Sequence, residues 1–223
     1  MLEGFLSFFT NINGFFYILG YLIGGIPFGY LLVFSFYKVR LTQVGSKSVG
    51  ATNVYRVLKD IAPNRAKKFM IATIFLDSTK GLFVILAAKL MGVGYDVQWL
   101  IAIFVVLGHC YSIFLFFLGG KGVTTAIGTT ILLMPIEGII GLIIWGLVGK
   151  YLKISSLSSL FGVLGAIICT FFIPDLLHLP EAINITKQIG SHTPVVIIGV
   201  IVLWTHLPNI YRLIFGMEQK IIG

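Results

Sequence analysis

Charge is scarce in this chain. Of its 223 residues only 11% are Asp, Glu, Lys or Arg, against roughly 25% in an ordinary soluble domain. Hydrophobic residues make up 57%, and mean hydropathy is +1.01. So short a chain has too little interior to bury that much apolar surface, which excludes a water-soluble fold and leaves lipid as the surroundings. Cysteine is nearly absent. Cys110 and Cys169 lie in apolar runs without metal-ligand spacing, so they indicate neither a zinc site nor a disulfide framework and read as inert buried thiols.

Acids are scarcer than bases, 8 against 16, giving a formal charge of +8. No paired carboxylate cluster is available to hold magnesium between phosphates: Asp60 and Glu218 stand apart and Asp77 falls within an apolar run. This argues against a metal-dependent phosphotransferase, and no metal or cofactor is expected. The histidine-aspartate dyad common in acyltransferases is also missing, because the residues five positions after His109, His178, His192 and His206 are Phe114, Ile183, Ile197 and Tyr211. A Cys110–His109 dyad fails because adjacent residues on a helix point about 100° apart. The opening MLEGFLSFF carries Glu3 but no Lys or Arg, and no small-residue cleavage site follows it, so no removed signal peptide is expected.

What is abundant is apolar runs. A bilayer core of about 30 Å asks for roughly 20 apolar residues per helix. The sequence predicts an all-α integral membrane protein of about seven transmembrane helices, near 15–37, 69–91, 98–118, 122–134, 138–151, 157–173 and 193–211, forming one domain over 1–223. The fourth and fifth are short and are separated by Pro135 and Gly138, which suits a tilted or re-entrant hairpin. Placing the N-terminus outside and the C-terminus in the cytoplasm puts thirteen of the sixteen cations inside, leaving Lys89 and Lys187 outside and Lys80 within a helix. The cations near 65–68 fit topology, and they also fit contacts with anionic lipid head groups.

Topology does not account for the first cytoplasmic segment, GSKSVGATNVYR at 45–56. Glycines such as Gly50 let the backbone approach an anion, Ser46, Thr52 and Asn53 donate hydrogen bonds, and Arg56 grips phosphate oxygens as a fork. The composition fits a phosphate cradle or a flexible polar loop. A second turn sets Lys121 among Gly119, Gly120 and Gly122 where a helix begins, and helix N-termini attract anions. It is not a nucleotide loop, since Gly122 follows the lysine and Leu115 holds the leading glycine position. Ser155 and Ser156 offer hydroxyls at another helix start, and His206, Asn209 and Arg212, spaced by three, share one helical side. Each has an ordinary structural reading, as cap, interfacial residue or snorkelling cation. Together on one leaflet they point to an anion site. Asp77 and Lys80, three apart, can pair either as a structural ion pair or as part of the site. His109 reads as a packing or hydrogen-bonding residue.

IPFGYLL at 26–32, GSKSVGATNVYR at 45–56, Asp77 with Lys80 and Gly81, GHCYSIFLFFLGGKGVTT at 108–125, Ser155–Ser156 and HLPNIYR at 206–212 together resemble the bacterial acyl-phosphate-dependent glycerol-3-phosphate acyltransferases. The resemblance covers nearly the whole chain. It implies a seven-helix protein of the bacterial plasma membrane with its site facing the cytoplasm. It further implies transfer of a fatty acyl group from acyl phosphate to the 1-hydroxyl of sn-glycerol 3-phosphate, giving lysophosphatidic acid and phosphate. Because acyl phosphate carries a good leaving group, the absent dyad is no obstacle. Carried over residue by residue, Ser46, Gly50, Thr52 and Asn53 would hold the acyl phosphate, and Arg56, Lys121, Ser155, Ser156, His206 and Asn209 would line the glycerol 3-phosphate pocket, with Gly120, Gly122 and Arg212 adding anion contacts. The attacking hydroxyl would lose its proton to a substrate phosphate, or to His206. A soluble enzyme that makes acyl phosphate and membrane lipid are the implied partners, and nucleic acid is not.

This chain has Lys47 and Ser48 where the family usually shows Gly and Asn, and Tyr111 and Ser112 where it usually shows Phe and Pro. The alternatives are a divergent paralogue using another acyl donor or acceptor, and an anion or phospholipid transporter. Confinement of the cations to one leaflet and the lack of an inverted repeat argue against a transport path.

Overall fold

The computed structural model describes residues 11–220. Residues 1–10, which include the segment on which the signal-peptide reading rests, lie outside the described residues. Within them the chain is helical, with one isolated bridge between Ser112 and Leu118. The helices are α1 (Ile12–Gly25), α2 (Phe28–Tyr37), α3 (Ala51–Ile61), α4 (Pro63–Leu90), α5 (Tyr95–Cys110), α6 (Val123–Thr130), α7 (Pro135–Leu152), α8 (Ser155–Thr170), α9 (Ile173–Leu176), α10 (Ile185–Ile189), α11 (Thr193–Thr205) and α12 (Leu207–Ile214).

α5 is the centre of the bundle. Its Trp99, Ile101, Ala102, Val105 and Val106 are fully buried. α1 lies along it at very close range: a Cβ on Gly24 would overlap the Val105 backbone, and one on Gly108 would meet the Tyr21 carbonyl. Small residues at such a crossing let two backbones touch, the packing that membrane helices favour. α4 packs on α6, α3 on α4, and α7 along α8. Phe36, Phe75, Phe83 and Leu90 point outward and are more than 60% exposed, the pattern expected of lipid-facing side chains. At the end remote from the polar loops, Trp99 Nε1 donates to Gln188 Oε1 at 2.8 Å and Gln188 Nε2 donates to the Leu133 carbonyl at 3.0 Å, tying the 171–192 segment down.

Several sequence boundaries are corrected. The expected helix 15–37 breaks at Ile26–Pro27, because proline supplies no N–H for the ladder. The second helix begins at Pro63, not 69, and α3 precedes it as an unanticipated amphipathic helix burying Val54 and Leu58. The third ends at Cys110 and not at 118: Phe116 and Phe117 take left-handed φ of 54° and 63°, turning 111–118 into a largely apolar loop that leads into the glycine-rich stretch at 119–122. The fifth gains Pro135 as its first residue and runs 18 residues, while the fourth shrinks to eight, or about 12 Å at the α-helical rise. The last expected span splits into α11 and α12, bent by 58° at His206, where Pro208 cannot donate back to the Trp204 carbonyl.

Among the described residues three stretches are long and apolar enough to cross a membrane, Ile12–Tyr37, Pro63–Leu90 and Pro135–Leu152, and the bent α11–α12 pair makes a fourth. α5 and α8 are shorter apolar helices.

Candidate functional site

The loops at 45–50, 119–122 and 153–156 and the α11–α12 corner meet at one end of the bundle around a cavity of about 350 Å³. Ser46, Gly50, Thr52, Asn53, Arg56, Lys121, Gly122, Ser155, Ser156, His206 and Asn209 all line it. Helices α3, α6 and α8 begin there, so their first N–H groups, lacking partners in their own helices, are directed toward the same space. Thr52 and Ser155 bridge two of these starts, their hydroxyls 2.9 Å apart.

Asn53 builds the first loop from inside. Its Nδ2 donates to the Val44 and Ser48 carbonyls at 3.1 and 2.8 Å and lies 3.4 Å from that of Leu41, while Oδ1 accepts from the Ser46 N–H at 2.8 Å. At 1% exposure its amide shapes the loop and is not left open. Thr205 Oγ1 donates to the Lys121 carbonyl at 3.0 Å, fixing the second loop. Burial lowers the Lys121 ammonium from the usual lysine range to about 8; Glu218 works against that shift, and Arg212 and Arg56 add to it.

His206 is 1% exposed, and its Nδ1 lies 2.7 Å from the Val202 carbonyl. A carbonyl only accepts, so Nδ1 carries the proton and Nε2 of the neutral ring is left as an acceptor. Asn209 Nδ2 donates to Glu218 Oε1 at 2.6 Å, and its buried Oδ1 has no partner.

Two of the residues anticipated from sequence stand outside the lining. Gly120 packs against His109: its N–H donates to the His109 carbonyl at 3.0 Å, and a Cβ there would fall on His109 Nε2. Its lack of a side chain serves helix contact rather than an anion. Arg212 is taken by Glu218, Nε to Oε2 at 2.6 Å.

Glu218, an isolated carboxylate in the sequence, turns out to be part of the chamber. It accepts from Ser156 Oγ, Asn209 Nδ2 and Arg212 Nε, at 2.8, 2.6 and 2.6 Å. Burial alone would raise its carboxyl, but these donors outweigh that and hold it below the usual value. No nearby sequence signal marks it: a lone carboxylate near the chain end gains meaning only when the bend at His206 brings the tail back. Ser48, Asp77 and His109 also reach the cavity. Lys80 Nζ sits between Asp77 Oδ1, His109 Nδ1 and the Ile26 carbonyl, at 3.1, 2.9 and 3.1 Å.

Beside the polar cavity runs an apolar groove of about 50 Å³ between α6, α7, α8 and α11, lined by Ala126, Met134, Gly141 and Gly162, with Val123, Ile127, Trp145 and Ser159 shared between the two. A cation-bearing, donor-rich chamber beside an apolar groove, in an integral membrane protein, is the arrangement expected of an enzyme that handles amphiphiles with an anionic head. Residues 14–216 match the glycerol-3-phosphate acyltransferase family. The chain is 58% identical over 213 residues to the glycerol-3-phosphate acyltransferase of Helicobacter hepaticus, covering 96% of this chain and 95% of that one. It is 49% identical to that of Helicobacter pylori strain J99 over 221 residues, 99% of this chain and all of the other. Among solved structures it resembles PlsY (YgiH), an integral membrane glycerol 3-phosphate acyltransferase, in its glycerol 3-phosphate form, with a TM-score of 0.79 and 29% identity over 94% of this chain and 96% of that one. The form with lysophosphatidic acid matches with a TM-score of 0.74 at the same identity, over 94% of this chain and 95% of that one. The chain belongs to the glycerol-3-phosphate acyltransferase family.

Proposed function

We propose that the protein transfers a fatty acyl group from acyl phosphate to the 1-hydroxyl of sn-glycerol 3-phosphate, releasing lysophosphatidic acid and phosphate. The observation that carries this reading is the convergence of Arg56 and Lys121 with three helix N-termini on one chamber adjoining an apolar groove. The groove suits the first methylenes of the acyl chain, the remainder lying against the lipid-facing side of the bundle, and the start of α3 at 50–53 suits the phosphate of the donor. Arg56, Lys121, Ser155 and Ser156 suit the phosphate of the acceptor, and the free acceptors His206 Nε2 and Asn209 Oδ1 suit glycerol hydroxyls. Gly122 supports these anion contacts from the adjoining loop, whereas Gly120, packed on His109, and Arg212, held by Glu218, serve the site by shaping its loop and tail.

The acceptor oxygen bonds to the acyl carbon as the bond from that carbon to the phosphate oxygen breaks. The departing phosphate keeps the electron pair and takes the proton, while His206 orients the hydroxyl. Catalysis on this account is positioning plus charge stabilisation, which an activated donor permits.

The same reading puts the chain, as one domain over 1–223, in the plasma membrane of a bacterium. It passes through the membrane seven times, with α1–α2 as the first passage and the stretch 119–134, of which the short, enclosed α6 is only the helical part, as the fourth, N-terminus outside and C-terminus cytoplasmic. The cation-rich loops at the chamber end favour a chamber facing the cytoplasm. There a soluble enzyme making acyl phosphate would supply the donor.

Purified protein given palmitoyl phosphate and glycerol 3-phosphate is expected to form lysophosphatidic acid and phosphate in equal amounts. Product from palmitoyl-CoA or acyl-carrier protein but not from palmitoyl phosphate would overturn the donor assignment.

A further inference from the structure

Lys47 occupies a conformation that suits it poorly. Its φ is +59°, in the left-handed region that side chains with a Cβ visit reluctantly. It is held there: the Lys47 N–H donates to the Val44 carbonyl at 3.0 Å, and the Asn53 amide clamps the turn on both sides, at the Ser46 N–H and the Ser48 carbonyl. Ser46 and Ser48 both line the chamber, so Lys47 sits at its rim between two lining residues. Its side chain is exposed, and it joins none of the ion pairs found among the described residues. The inner cations of the chamber, Arg56 and Lys121, are partly or largely withdrawn from water.

We propose that Lys47 is a recruiting cation: it draws glycerol 3-phosphate out of water to the chamber mouth and hands it inward, without contacting the reacting atoms. The inference rests on the reading of the chamber given above. A free ammonium at a rim whose interior is positive raises the local concentration of a dianion and its encounter rate, an effect that salt screens. The acyl donor, an amphiphile held in the leaflet, gains nothing from it. Lys47 is therefore a specificity element for the soluble substrate, retained at a position whose backbone would favour glycine.

The test is steady-state kinetics of the full chain with palmitoyl phosphate and glycerol 3-phosphate at low and high salt. Lys47→Gln keeps the strained backbone and removes the charge, Lys47→Gly removes both, and Lys47→Arg keeps the charge. Lys38→Gln is the control, since Lys38 has the same left-handed turn (φ 57°) and exposure, but Val39 and Tyr37 beside it do not line the chamber. At low salt Lys47→Gln and Lys47→Gly are expected to raise KM for glycerol 3-phosphate about fivefold with kcat intact, the difference vanishing near 0.5 M salt where screening is short-ranged, on the order of 4 Å. Lys47→Arg and Lys38→Gln should match the parent chain, and KM for palmitoyl phosphate should not move. A salt-independent change, a change confined to palmitoyl phosphate, or parent-like kinetics for Lys47→Gln would overturn the proposal. Failure of the parent chain itself to make lysophosphatidic acid would instead sink the underlying reading.

Discussion

Lys80 Nζ lies 2.9 Å from His109 Nδ1, deep inside the bundle where both side chains are at most 5% exposed. An ammonium has no lone pair, so it donates, Nδ1 accepts, and the ring proton belongs on Nε2. Nε2 faces Gly120. One buried lysine therefore links the break after α1, through the Ile26 carbonyl, to the loop that carries Lys121.

Removing that lysine leaves Asp77 buried without its counter-charge. Lys80→Met is expected to destabilise the protein by about 3–5 kcal/mol, seen as a large drop in thermal midpoint. The double variant Asp77→Asn/Lys80→Met should recover at least half of the loss. A single variant that melts like the parent would show that the pair contributes nothing.

The glycines separate packing from binding. Gly120→Ala forces a methyl into the His109 ring and should abolish activity together with much of the folded yield. Gly50→Ala meets only Ser48 Oγ at 3.7 Å, so that variant should fold normally and change only KM values. Size-exclusion profiles and kinetics of the two variants decide between these outcomes.

The chemistry of the chamber was legible from residue types, because cations, glycines and hydroxyls are rare enough in an apolar chain to stand out, and Arg56, Lys121, Ser155 and His206 do meet. Geometry that depends on breaks was not. Hydropathy treats IFLFFL at 113–118 as more helix, since it cannot register the left-handed turns at Phe116 and Phe117. It also passes over α3, whose polar face hides a buried stripe of Val54 and Leu58. Gly120 looked like part of an anion cradle because glycine serves anions and helix contacts alike, and only the position of His109 tells them apart.

With its ammonium lowered to about 8, Lys121 loses its charge as the pH rises through that value. The affinity it gives for a phosphate dianion is complete well below pH 8 and fades above it. The ratio kcat/KM for glycerol 3-phosphate should thus fall above pH 8, and Lys121→Arg should shift that fall upward. An unchanged profile in Lys121→Arg would remove Lys121 as its cause.

Arg56→Ala and Lys121→Ala each take a cation from the chamber without opening the core. A loss of at least about 100-fold in kcat/KM is expected for each, in line with the loss of a strong charge-stabilising donor, while thermal midpoints stay near the parent value. Full activity in both would refute the anion chamber.

Glu218 gathers three donors, so its replacement should act more widely. Glu218→Ala should lower both the thermal midpoint and activity, because Arg212, Asn209 and Ser156 lose a common acceptor. Glu218→Gln, which keeps one acceptor oxygen, should lie between. A purely kinetic effect with unaltered melting would count against this tethering role.

The 58° turn at His206 means that α11 and α12 cannot both run along the membrane normal. Where α11, which carries the apolar run, follows the normal, α12 is oblique to it, and its Tyr211, Ile214 and Phe215 are 58%, 74% and 60% exposed. Asn209 rides on this oblique helix. A flat bilayer and a curved detergent micelle press on such a helix differently, so the medium becomes part of any rate constant, and variants are comparable only when assayed in the same one.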